Sequence, residues 1–139
     1  MRNAIFFLGL GLLLGGCSGG PDAKVTSDYL RTLEREFVKV SDNGRVLAVT
    51  CSVIVAPVKE VTKPLHLEAR FDDDANPGTP LIANAVLGPG LKRLDVNSPQ
   101  LRKLEKGKLY KAEIFIYEDR EKSRRVGVHT QMVTARESL

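Results

Sequence analysis

Two cysteines, two histidines and one short run of carboxylates are the residues of this 139-residue chain best suited to chemistry. Cys17 follows Leu14-Gly15-Gly16 at the end of an uncharged run, where a thiol is open to modification. Cys51 stands among Val49, Val53 and Val55 on the apolar face of an alternating segment, where a thiol is inert rather than activated. His66 and His129 could form a metal site with Glu68 or Glu113, but they lack a spacing signature. Solvent-facing histidines on neighbouring strands are the plainer expectation. Asp72, Asp74 and Asn76 place oxygens at alternate positions, as a calcium loop begins. Pro77 stands where such a loop needs glycine, so a solvated hairpin tip is the better reading. There is no Gly-x-Ser-x-Gly elbow and no phosphate-cradling glycine loop. The chain therefore reads as a binding protein rather than an enzyme, with no metal and no cofactor.

Binding residues are sought among aromatics and clustered charge. On the segment Tyr110 to Tyr117 the core face is taken by Tyr110, Ala112, Ile114 and Ile116, so Phe115 and Tyr117 should project outward. They would mark a binding face or lie under a helix expected over Ser27 to Phe37. Residues 92–125 hold 11 basic and 6 acidic side chains, while the whole chain has 21 and 17. Within that region Lys122, Arg124 and Arg125 form the densest cluster and, with Phe115 and Tyr117, are the candidate binding residues. Dispersed lysines that keep a sheet soluble and its edges unpaired explain the same pattern. The overall balance is too mild to argue for nucleic acid.

The elements that position these residues start with the N-terminus. Met1-Arg2-Asn3 supplies one positive charge, Ala4 to Leu14 carries none, and small residues precede Cys17, the three-part layout of a secretory signal. Eleven residues would rise only about 16 Å as a helix, roughly half a bilayer core, so a transmembrane span is a poor reading. Leu14-Gly15-Gly16-Cys17 resembles the lipobox of bacterial lipoproteins. The resemblance implies cleavage after Gly16, acylation of Cys17 and attachment to a membrane through that lipid. Ser18 follows the cysteine in place of the aspartate that would favour the inner membrane, which implies the periplasmic face of the outer membrane. A cysteine held as a thioether leaves Cys51 without an intrachain partner. Residues 17–26 then form a lipidated, flexible tether reaching at most about 30 Å.

Residues 27–139 read as one domain. Leu30, Leu33 and Phe37 recur at helical spacing behind Ser27 and Asp28, predicting a short helix that gives way to a strand near Phe37. Ser41-Asp42-Asn43-Gly44 is a hairpin turn. Beyond it, strands are expected at 47–55, 65–71, 80–87, 91–96, 109–117 and 125–135, the clearest being Leu65 to Phe71. About seven short strands predict a mainly β, antiparallel sandwich or barrel. Leu104, Gly107 and Tyr110, followed by Ala112, Ile114 and Ile116, resemble the tyrosine corner of immunoglobulin-like and fibronectin type III domains. That resemblance implies an immunoglobulin-like fold with the Tyr110 hydroxyl bonded to backbone just upstream. Ala112 replaces the second cysteine of antibody domains and there is no Trp, so no inter-sheet disulfide is expected.

Together these readings predict a lipid-anchored, periplasm-facing component of an envelope complex that acts through a protein partner. A module for an anionic envelope glycan or lipopolysaccharide is the second expectation, and a periplasmic enzyme inhibitor the third.

Overall fold

The computed structural model describes residues 28–139; the expected signal, with Leu14, Gly15 and Gly16, and the expected anchor and tether from Cys17 lie outside the described residues. Seven strands follow one another: β1 (Leu30–Asp42), β2 (Arg45–Pro57), β3 (Leu65–Phe71), β4 (Leu81–Leu87), β5 (Leu94–Asn97), β6 (Leu109–Tyr117) and β7 (Arg125–Thr134). They form an antiparallel three-stranded sheet, β1-β2-β5, and an antiparallel four-stranded sheet, β4-β3-β6-β7.

Alternation in the sequence explains the core. Val49, Cys51, Val53 and Val55 of β2 face Leu67, Ala69 and Phe71 of β3 and Ala112, Ile114 and Ile116 of β6 in one buried cluster. Fully burying side chains of the size of Ile114 or Phe71 stabilises by about 1.5–3 kcal/mol each. Tyr110 sits at the edge of this cluster, with Phe37 meeting its ring edge-on at 5.6 Å between centroids.

The helix expected over 27–37 does not form: residues 30–42 are one strand. A bulge is the physical reason. The pairing of β1 with β2 shifts between Thr32 and Glu34, so Leu33 is an extra residue, and it is left 38% exposed. Before the bulge Thr32 pairs with core-facing Val55, and after it Phe37 pairs with core-facing Cys51. The inserted residue changes which parity faces inward. Leu30 and Phe37, seven positions apart, therefore both point to the core, a spacing that an unbroken strand forbids and a helix permits. A second shift, between Val40 and Ser41, leaves Leu47 of β2 unpaired and 49% exposed, outside the alternation expected to begin there.

The registers also define two ends. Leu30 pairs with Pro57, Val55 with Leu94, Leu65 with Leu87 and Tyr117 with Arg125, so the chain enters β1 at the end carrying the connections 58–64, 88–93 and 118–124. Val58 N donates to Tyr29 O at 2.8 Å and holds the entering segment there. The opposite end carries the 43–44 turn, 72–80, 98–108 and the last residues, where Leu139 N donates to Leu104 O at 2.9 Å.

Candidate binding surface

On β3 the residues between the core positions are His66, Glu68 and Arg70, and on β6 Lys111, Glu113, Phe115 and Tyr117. Register places Asn84, Glu68, Phe115 and Val128 in one row across the outer face of the four-stranded sheet. Phe115 does project outward from β6, as expected, yet it is only 8% exposed. Its cover is neither a helix nor open solvent. The Arg70 guanidinium lies 4.4 Å from the ring centroid and that of Arg125 5.2 Å, so two cations from different strands flank the same π-system.

A polar network locks this arrangement. Arg70 Nε donates to Glu68 Oε2 at 2.8 Å, while Lys122 Nζ donates to Glu68 Oε1 at 3.0 Å and to Asn84 Oδ1 at 2.5 Å. The Lys122 ammonium, followed by Arg70, holds the Glu68 carboxyl below its ordinary pKa. Lys122 reaches inward because its backbone is left-handed, with φ of 60°, in the hairpin joining β6 to β7. Asp119 shapes that hairpin: its carboxylate accepts from the Ser123 hydroxyl at 2.5 Å and from the backbone N–H groups of Ser123 and Arg124 at 2.9 and 2.8 Å. Those bonds, the Ser123 hydroxyl first, lower its pKa to about 2.

Of the candidate binding residues, Phe115, Lys122 and Arg125 thus come together through Glu68 and Arg70. Tyr117, half-buried, lies in the neighbouring row opposite His66 and Arg125. Arg124 stands apart, exposed and 3.4 Å from Glu118. Ile82 and Val86, at 42% and 49% exposure, complete the face from β4. Arg70, Asn84, Ile82 and Val86 were not singled out from the sequence, and Glu68 only as a possible metal ligand, because only the pairing of β3 with β4 and β6 brings them beside Phe115.

The histidines part company. His66 is on the outer face, but His129 is fully buried on the core side of β7, contrary to the expectation that both face solvent. Its Nε2 shares a 2.7 Å hydrogen bond with Thr32 Oγ1 of β1, its Nδ1 has no partner, and burial lowers its pKa. Among the described residues no group of three or more His, Cys, Asp or Glu side chains is placed to hold a metal ion.

The carboxylates of the 72–80 connection also have separate duties. Asp72 Oδ2 accepts from Lys111 N at 2.9 Å, Asp73 Oδ1 from Ala75 N at 3.1 Å, and Asp74 from Lys108 Nζ and the Tyr110 hydroxyl, each at 2.5 Å. They bind the loop to the sheet instead of converging on one point. The Tyr110 hydroxyl in turn accepts from Glu105 N at 2.8 Å, the upstream backbone bond expected of it. Cys51 is a free, buried thiol whose pKa burial pushes up to about 12.

Two of the open clefts lie at opposite ends. One of about 790 Å³, at the end where the chain enters, is lined among others by Tyr29, Lys63, Glu118 and Arg124. The other, about 370 Å³, runs between β1 and the C-terminal residues beside the 2.6 Å Lys39–Glu137 ion pair. No protein-family model, curated protein or solved structure matches this chain. Among the described residues no helix is long and apolar enough to cross a membrane.

Proposed function

We propose that the chain is a lipoprotein of the outer membrane, anchored through acylated Cys17, whose periplasm-facing domain works by binding a protein partner of the cell envelope. The carrying observation for the anchor is Leu14-Gly15-Gly16-Cys17 behind an uncharged run. Burial of Cys51 supports it, since a thiol 3% exposed within the core is closed to a disulfide with Cys17. The expected mature protein has the mass of a chain starting at Cys17 plus its acyl groups, and Cys17→Ser abolishes both that mass and membrane retention. An unmodified Cys17 in the purified protein would remove the reading.

For the domain, an immunoglobulin-like sandwich of the fibronectin type III kind is the proposed fold. The division into β1-β2-β5 and β4-β3-β6-β7 around one core supports it, as does the bond from Glu105 N to the Tyr110 hydroxyl. The proposed partner site is the outer face of the four-stranded sheet. Arginines stacked on an aromatic, beside exposed Ile82 and Val86, combine the side chains most enriched at protein interfaces with a pre-ordered network. A photocrosslinker at Val86 or Tyr117 is expected to capture a protein in intact cells, and one at Val38, exposed on β1 of the other sheet, is not. Equal capture from the two sheets would rule this face out.

A further inference from the structure

We infer that the end of the domain at which the chain enters is a bilayer-docking surface that takes anionic phospholipid headgroups. Residues 28–31, 57–66, 88–93 and 117–125 bring nine basic and five acidic side chains to this end. The segments at the opposite end, 41–46, 72–80, 98–109 and 135–139, bring six of each. The excess is therefore local, and no stretch of sequence contains it, because three separate connections assemble it.

Exposed cations without an ion pair occur at both ends, Arg45, Arg102, Lys103, Lys106 and Arg136 among them at the opposite one, so the ends differ in net charge and not in pairing. Asp119 is bound within its own hairpin and Lys122 is bound to Glu68 and Asn84. Exposed Lys59, Lys63, Lys92, Arg93 and Arg120 have no ion pair among the described residues. Tyr29, Val58 and Leu91 stand on the same end at 37%, 49% and 41% exposure. Unpaired cations around exposed apolar side chains suit an interface where phosphates meet acyl chains, and each basic residue near an anionic leaflet contributes about 1 kcal/mol.

Placement of the chain selects the occupant. Ten residues separate Cys17 from Asp28, at most about 36 Å when extended. An anchor at Cys17 therefore keeps this end nearest the bilayer, and attraction within a Debye length of about 8 Å then turns the unpaired cations toward it. The geometry rests on the anchored reading; the charge and exposure do not. Docked in this way, the domain presents the balanced end, the outer sheet face and its exposed β4 edge to the periplasm.

The test uses the mature protein purified from membranes and incorporated into vesicles of phosphatidylcholine, with or without phosphatidylglycerol. A fluorophore is placed at Thr62→Cys or, at the opposite end, Asn76→Cys, with Cys51 buried and unreactive. Lipid-borne quenchers are expected to quench the label at position 62 and not at 76, only when phosphatidylglycerol is present, and less as salt rises. Replacing Lys59, Lys63 and Arg124 by Glu should reduce the quenching difference at least about tenfold. Replacing Arg102, Lys103 and Lys106 by Glu should leave it intact, and circular dichroism of both variants reports folding. Equal quenching of the two labels, insensitivity to phosphatidylglycerol, or equal effects of the two triple variants overturns the inference. So does retention on lipopolysaccharide micelles with no response to phosphatidylglycerol. If the purified protein carries no acyl mass, the anchored reading falls by itself. Sedimentation of the same unlabelled protein only with phosphatidylglycerol vesicles then upholds the docking surface, and its absence removes it.

Discussion

The two ends of the domain balance charge differently. Where the chain leaves, Asp72, Asp74, Lys108 and the Tyr110 hydroxyl are bonded to one another and to backbone, so the charges fasten the 72–80 connection to β6. Where the chain enters, Asp119 serves its own hairpin, and nine basic side chains outnumber five acidic ones, against six of each at the other end. Charges committed to internal partners hold the fold. Unpaired ones contribute little to it and are available to something outside.

Substitutions on the two ends should separate these roles. The largest effect is expected at the bonded end, from Tyr110→Phe. It leaves Glu105 N without its acceptor and Asp74 with Lys108 alone as side-chain donor, and should cost about 1–3 kcal/mol in denaturant unfolding. A cost below about 0.5 kcal/mol would mean that the corner does not fasten that end.

Thr32→Val tests a point between the ends, where β1 meets β7. It removes the one hydrogen-bond partner of the His129 ring among the described residues and should lower stability by about 1 kcal/mol. Because burial depresses the His129 pKa, the unfolded chain binds a proton more readily than the folded one. Stability should therefore fall as pH drops below about 6.5, the unfolded value. A His129→Gln variant that keeps the wild-type slope between pH 7 and 5 would assign the effect elsewhere.

A smaller and more local change is expected from Asp119→Ala. Its pKa, about 2 in the folded hairpin, lies below the unfolded value of about 3.9, so its contribution is complete above pH 4 and is lost as pH falls toward 2. Hydrogen exchange should show faster opening at Ser123 and Arg124 with little change at β3. Spreading of that protection loss into Glu68 and Asn84 would tie the hairpin more firmly to the sheet than its own bonds suggest.

The smallest effect belongs to the entering end. Lys59→Ala and Lys63→Ala should shift unfolding by no more than about 0.5 kcal/mol, since neither has an ion pair to lose. A clear destabilisation by either would break the contrast between the ends.

Much of the framework was legible in the chain itself. Leu65 to Phe71 alternates strictly and Leu109 to Tyr117 does so as far as Ile114, and both are strands with the expected residues inward. The Tyr110 bond was implied by the resemblance of Leu104, Gly107 and Tyr110 to a tyrosine corner, a motif legible because its residues lie close together in sequence. The site was less legible. Phe115 was visible as an outward aromatic, but Arg70, which covers it, is 45 positions away in sequence and looked like any polar residue of an alternating strand.

The sequence by itself determined where the strands after residue 44 form, which thiol stays unpaired within the core and where chemistry at Cys17 is to be sought. Side-chain alternation and turn residues act over a few positions and need no distant partner. Tertiary structure alone decided the parity of β1, the burial of His129 and the cover of Phe115. It alone gathered the cations of 58–64, 88–93 and 118–124 at one end. Each of those depends on the register between strands, and a single bulge at Leu33 reverses which side chains a strand turns inward.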